Sequence, residues 1–286
     1  MAGEDLVDWH VMTRNLTPED VRTFKRDGVI RITDAVDKTW VERLLKVVDA
    51  QLANPSRWAN DANPGAAKNR LFTDRYQWRV NPEIRSYIYE SGVARLAGQA
   101  MESTTVRFYF DHLLVKEPGT ATVTPWHQDV PYWPVQGKQI CSVWLALTDT
   151  TVEQSAMEFV RGSHSCGKYY MPEVFGDRDN HPSSWQRDGI GEPVPAIEEN
   201  RQAYDIVGWD MQAGDAVLFS AWTLHWAPGN SSLRHRRAAI STRWLGDDAV
   251  WYPHQGADPT VTQDDVSIIP GEPVHDDNIF PLVWPR

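Results

Sequence analysis

Between Leu16 and Met101, apolar positions recur at helical spacing in three stretches, interrupted by one short extended run. LTPEDVRTFKRDGVI begins with Thr17 as an N-cap, puts Pro18 at the first helical position and acids in the first turn, and stops at Gly28, which predicts a short helix. VIRITDAV then reads as a strand. DKTWVERLLKVVDAQLAN spaces Trp40, Leu44, Leu45, Val48 and Leu52 along one face of a second helix. Residues 53–78, rich in Asn, Pro, Gly and Ala, read as a loop at the surface or over a site. NPEIRSYIYESGVARLAGQAM restores the helical period up to Met101.

From Thr104 the pattern shortens to period two. VRFYFDHLLV, QICSVWLAL, AMEFV, AVLFS and RAAISTRW are β-rich runs separated by Pro and Gly, with no helical stretch between them. Short strands joined by turns predict an antiparallel sandwich or jelly-roll barrel, not a parallel α/β sheet. The expected plan is one domain over residues 1–286 with an all-β core: helical support over 1–103, the β-core over 104–248 with an insertion at about 165–210, and a tail over 249–286. That tail ends in FPLVWPR, whose aromatics suggest that it packs back on the body.

Composition narrows the function. Against 39 Asp and Glu stand 28 Lys and Arg, a net charge of −11, so no general field attracts nucleic-acid backbones or anionic lipid. No apolar run is long enough for a membrane span, and the opening MAGEDLVDWHVMTRN lacks the pattern of a secretory signal, so the expected setting is cytoplasmic. Only Cys141 and Cys166 occur, which excludes a disulfide framework or a cysteine-held metal cluster; any metal must be held by His and carboxylates.

Three features of the β-core meet that requirement. TPWHQDVPYW places His127 and Asp129 two residues apart at the end of a strand, and in extended chain such residues share a side. His225 closes AVLFSAWTLH on a distant strand. Arg234, Arg236 and Arg237 follow, at the start of RAAISTRW. Two His and one carboxylate on one face, with positions left open for a bidentate co-substrate and dioxygen, is the set used by non-haem Fe(II) oxygenases. An Arg on the next strand pairs with the far carboxylate of 2-oxoglutarate. A short His-x-Asp alone also fits a surface turn, and a non-redox metal-dependent β-barrel, such as an isomerase, hydrolase or binding protein, is the rival reading. His112 reads as a satisfied strand histidine and His164 as a turn residue.

WHQDVPYWP, SVWLALTDTTVEQSAMEFVRGSH and LHWAPGNSSLRHRRAAISTRW together resemble the phytanoyl-CoA dioxygenase family, and LTPEDVRTFKRDGVI is similar to that family's opening helix and strand. The resemblance spans most of residues 16–248. It implies a double-stranded β-helix of the cupin-like, jelly-roll kind and an Fe(II)- and 2-oxoglutarate-dependent dioxygenase that consumes O2 and releases succinate and CO2. It also implies His127, Asp129 and His225 as iron ligands and Gln128 and Trp144 at the 2-oxoglutarate pocket. The co-substrate arginine is Arg237 if the strand pattern Arg-x-Ala-aliphatic-Ser is kept, or Arg236 if counted without a gap. Trp226 and Ala227 depart from the family's Gly and small hydroxyl after the distal His, which leaves a hydroxyl contact to the co-substrate in doubt. Relatives that halogenate carry Gly or Ala where Asp129 stands, so the carboxylate implies hydroxylation of a C–H bond or another oxidation without chloride. Trp126, Tyr132, Trp133 and Trp226 flank the expected ligands and are candidate walls of a substrate pocket. The acidic balance disfavours a phosphate-bearing CoA thioester and favours another small-molecule metabolite.

Overall fold

The computed structural model describes residues 14–171 and 191–285. Its first helix, α1 (Pro18–Asp27), carries the expected cap: Thr17 accepts from the backbone of Asp20, and the Asp20 carboxylate accepts from the backbone of Thr17. Gly28 ends it with φ 76°, and a Cβ there would strike the His164 ring and the Thr223 hydroxyl. After strand β1 (Val29–Ile32) comes α2 (Lys38–Ala53), capped by Asp37 and buried through Val41, Leu44, Val47 and Val48. The expected third helix is two, α3 (Pro82–Glu90) and α4 (Val93–Met101), because Gly92 turns left-handed between them at φ 79°.

The loop expected over 53–78 contains a hairpin, β2 (Asn60–Ala62) paired with β3 (Leu71–Arg75). Asn and Gly mark its turn, while Phe72 and Asp74 point inward and Leu71, Thr73 and Arg75 are half-buried, the alternation of a sheet edge. In the core follow β4 (Val106–Lys116), β5 (Thr124–His127), β6 (Val135–Gln136), β7 (Ile140–Ala146) and β8 (Glu158–Val160). Then come β9 (Ile206–Gly208), β10 (Ala216–Ser220), β11 (His225–Ala227), β12 (Arg237–Leu245), β13 (Val250–Trp251) and β14 (Leu282–Trp284). Part of the insertion expected at about 165–210 lies outside the described residues; its end supplies a 3-10 turn at Glu198–Ala203 and then β9.

The large sheet runs β1-β10-β7-β12-β4-β3-β2, with β14 also paired to β4, and the small sheet runs β5-β11-β8-β9. All pairings within them are antiparallel. The large sheet's central strands are buried on both faces. Cys141, Val143, Leu145, Leu218 and Ile240 face the helices, in one core with Phe24, Leu44, Tyr87 and Leu96. Their alternates Trp144, Ala146, Val217, Phe219 and Ala239 face the small sheet, where Phe159 meets Phe219 at 5.1 Å between ring centres. This is a jelly-roll barrel with helices on one outer face. The tail packs back on it: β13 pairs with β6, β14 with β4, and Trp251 and Phe280 are fully buried.

Candidate metal centre

His127 and His225 are direct partners across the antiparallel β5–β11 pair, so one cross-strand register brings two distant histidines to a ring separation of 4.0 Å. Each ring holds its Nδ1 against the carbonyl two residues upstream, His127 on Pro125 at 2.8 Å and His225 on Thr223 at 2.9 Å. That contact selects the tautomer with Nδ1–H and presents Nε2 as a lone-pair donor. Asp129 arrives by a different route from the extended geometry expected of His-x-Asp. Strand β5 ends at His127, and Asp129 is helical (φ −74°, ψ −43°) at the head of a 3-10 turn, with its amide bonded to the Ala221 carbonyl at 2.9 Å. Its Oδ2 accepts from Ser142 Oγ at 2.7 Å, and its Oδ1 lies 3.8 Å from both histidine Nε2 atoms.

The three ligand atoms lie within 4.8 Å of one another, and all three residues are buried. Burial pushes the imidazoles down, His127 to about 3, so both are neutral. Burial works against ionisation of Asp129, yet Arg243, the two imidazoles and Ser142 together hold its carboxyl below the usual value. Two neutral imidazoles and one ionised carboxylate, deprotonated in advance, suit ferrous iron, and the set has the 2-His-1-carboxylate composition of that metal's oxygenases.

The centre lies in a cavity of about 700 Å³ between the sheets, walled on one side by the β2–β3 hairpin. Trp144, Tyr132, Trp133 and Arg237 line it. Arg237 is buried and donates from Nε to Ser155 at 3.2 Å and from Nη1 to the Leu114 carbonyl at 3.1 Å, with its guanidinium 5.8 Å from the Trp144 ring. It has no carboxylate partner among the described residues, and desolvation lowers its pKa to about 10. Arg236, next in the chain, points to the opposite side and is spent on Glu117 and Asp49, each at 2.7 Å. Ala227 lines the cavity, so a methyl group stands where family relatives often carry a hydroxyl.

Three expected wall or pocket residues point elsewhere. Gln128 lies between two inward neighbours, and its amide bridges the Trp222 and Lys168 carbonyls and the Tyr170 amide. Trp126 and Trp226 stack on each other at 5.8 Å and donate to Glu198 and Glu158. Each precedes or follows a ligand histidine by one position, and alternation turns it away from the cavity. His164 occupies the expected short turn, with Nε2 against the Lys25 carbonyl at 3.2 Å. His112 differs from the satisfied strand histidine expected: it lines the cavity, and its buried Nε2 has no hydrogen-bond partner. Lys116, Arg243 and Ser241 also line the cavity, and no motif in the sequence marks them. Strand parity was the available clue, since Ser241 and Arg243 lie two and three pairs of residues beyond Arg237 on the same face.

The phytanoyl-CoA dioxygenase (PhyH) family model matches residues 24–238. Methylphosphonate hydroxylase of Gimesia maris is 22% identical over 236 residues, 81% of this chain and 82% of its own. Among solved structures, the non-haem alpha-ketoglutarate-dependent carbocyclase SnoK from nogalamycin biosynthesis is 23% identical, with a TM-score of 0.71 over 94% of this chain and 97% of its own. The epimerase SnoN, solved with Fe3+, alpha-ketoglutarate and nogalamycin RO, is 22% identical, with a TM-score of 0.70 over 93% and 97%.

Proposed function

The chain belongs to the phytanoyl-CoA dioxygenase family and is a 2-oxoglutarate-dependent non-haem iron dioxygenase; from that premise we propose that it hydroxylates a C–H bond of a small organic metabolite that is not a CoA thioester. Family membership sets aside the non-redox metal protein. His127, Asp129 and His225 hold the iron, and the observation that carries this is the convergence of their three ligand atoms in one buried cavity. Bound iron and 2-oxoglutarate supply the oxidising power: O2 is consumed, the co-substrate is decarboxylated to succinate and CO2, and a substrate C–H bond is oxidised.

The protein's own residues position and exclude. Arg237 seats the distal carboxylate of 2-oxoglutarate, a role supported by its burial, its lack of a carboxylate partner and its fixed fork against Ser155 and Leu114. Trp144 forms the floor beside it. Tyr132 and Trp133 wall the space left for substrate and keep water from the reacting centre. Ser142 orients Asp129, and the Pro125 and Thr223 carbonyls orient the imidazoles. The cavity volume suits a compact molecule. The relatives' names, methylphosphonate hydroxylase and enzymes of nogalamycin biosynthesis, support small organic substrates in place of CoA thioesters. No helix among the described residues is long and apolar enough to cross a membrane. The two cysteines, which form no disulfide, support a cytoplasmic setting, and the acidic balance supports an enzyme without nucleic-acid partners.

Anaerobic addition of Fe(II) and 2-oxoglutarate is expected to give the weak visible absorption of the chelate, lost in His127→Ala. In air, O2 uptake should depend on 2-oxoglutarate. An intact protein that gives neither signal overturns the reading.

A further inference from the structure

Strand β12 bears two buried guanidinium groups on the cavity side. Arg237 and Arg243 are six residues apart, and at about 3.3 Å per residue they stand roughly 20 Å apart along the strand. A five-carbon diacid seated on Arg237 spans only part of that backbone distance. Arg243 is 6% exposed and has no carboxylate within ion-pairing distance among the described residues. Its Nη1 donates to the Ser241 carbonyl at 2.7 Å, its Nε has no partner, and its guanidinium lies 4.8 Å from the Phe110 ring and 5.9 Å from Trp133. Two more buried polar atoms without partners flank it, His112 Nε2 and Ser241 Oγ, from residues directly opposite each other across the β4–β12 pair.

Buried polar atoms are seldom left unpaired, and a buried cation is costly to hold without a direct ion-pair partner; Arg243 feels the Asp129 and Asp111 carboxylates only at longer range. Here three such groups share one wall of one cavity. The cavity's carboxylates are committed elsewhere: Asp258 to Arg75 at 2.6 Å, Asp61 to Arg70 at 2.6 Å, and Asp129 to Ser142 and the metal. The cavity therefore keeps a positive end inside a chain of net charge −11.

We propose that the primary substrate is a small organic acid whose carboxylate or phosphonate seats on Arg243, with Ser241 and His112 beside it. Its carbon body extends past Phe110 and Trp133 toward the metal ligands. The inference rests on the oxygenase reading above and adds the substrate's charge and the residue that reads it. Arg243 supplies paired N–H donors that match a planar carboxylate or a tetrahedral phosphonate. Ser241 and His112 supply the further donors that a neutral polar group would not need.

The test uses the full chain with Fe(II) and 2-oxoglutarate under anaerobic conditions, where the visible band reports the metal complex and tryptophan fluorescence reports filling of the remaining cavity. Carboxylic acids are titrated against their primary amides, phenylacetate against phenylacetamide among them, and alkyl phosphonates against their dimethyl esters. Acids should bind at least about 30-fold more tightly than their neutral partners, the scale of a desolvated charge pair, and Arg243→Gln should bring each pair to within about threefold. Arg243→Lys should restore part of the preference. The arm that responds separates a carboxylate substrate from a phosphonate. If the band forms and neutral members bind as well as acids, if no acid binds, or if Arg243→Gln keeps the preference, the inference fails while the oxygenase reading stands. Failure of the band itself strikes the oxygenase reading instead. The acid-to-amide comparison in the unaltered protein decides the matter even if the Gln variant does not fold.

Discussion

His127 and His225 are held by the same local device, a ring nitrogen bonded to the carbonyl two residues back, which fixes the tautomer, while Tyr132 packs against the first ring and Phe219 against the second. Asp129 depends on another residue, because Ser142 takes Oδ2 and thereby presents Oδ1 to both imidazoles. Ser142→Ala should therefore weaken Fe(II) binding by about 10- to 100-fold, measured by competition with a chromophoric chelator. The two neighbouring arginines should separate cleanly. Arg237→Ala is expected to raise the KM for 2-oxoglutarate by about 100-fold or more, as for truncation of a buried charge partner. Arg236→Ala, at a half-buried residue paired with Glu117 and Asp49 outside the cavity, should change it by less than about threefold. Equal effects in steady-state kinetics would count against the division of roles. His127, Asp129 and His225 were legible through residue type, order and the family resemblance together, and the fold brings their ligand atoms to one point. Nearness in the chain to a ligand does not carry over to space at Trp126 and Trp226, which alternation turns away from the cavity, and the pocket position that the resemblance implies for Gln128 is spent on backbone groups of Lys168, Trp222 and Tyr170.

At the scale of elements, the ligand strand β11 is tied to the helical layer through one turn. The Gly28 carbonyl at the end of α1 accepts from Thr223 Oγ at 2.8 Å, and the Thr223 carbonyl in turn holds the His225 ring. Gly28→Ala puts a Cβ into Thr223 and His164 at a left-handed backbone position. It should cost about 1–3 kcal/mol of stability, read by urea unfolding, and also weaken Fe(II) binding. A variant with lowered stability and intact metal affinity would show that the turn supports the fold alone. Capping residues foretold α1 and apolar spacing foretold α2, because those signals are local. The β2–β3 hairpin and the break at Gly92 escaped, since short polar strands gain their pairing only from a neighbouring sheet, and a single glycine within a helical period does not reveal its φ.

For the molecule as a whole, acidic side chains serve as long-range clasps. Asp247, just past β12, accepts from the backbone and hydroxyl groups of Thr104 and Thr105, four bonds of 2.6 to 2.9 Å that tie the end of β12 to the start of its neighbour β4. Burial resists, but those bonds hold its carboxyl below the ordinary value of 3.8. A carboxyl with a lowered folded pKa adds stability above the unfolded pKa and loses it as pH falls through the folded one. Asp247→Asn should thus cost about 1 kcal/mol at pH 7, a modest figure for an exposed group, with the gap narrowing as pH falls below about 4. Parallel denaturant titrations at pH 7 and pH 3 check it, and an equal gap at both would refute the assignment. The net charge was readable from composition. The cationic interior was not, because it depends on β4 and β12 lying side by side, a pairing no local pattern encodes. That same pairing makes β12 a ruler. Paired with β4 on one edge, with a bulge beside Arg243, and regularly with β7 on the other, it fixes the span between Arg237 and Arg243, the two proposed anchors. Specificity in this scaffold is therefore retuned by replacing the residue at a graduation of that ruler or by reshaping the β2–β3 wall, and not by sliding one anchor toward the other.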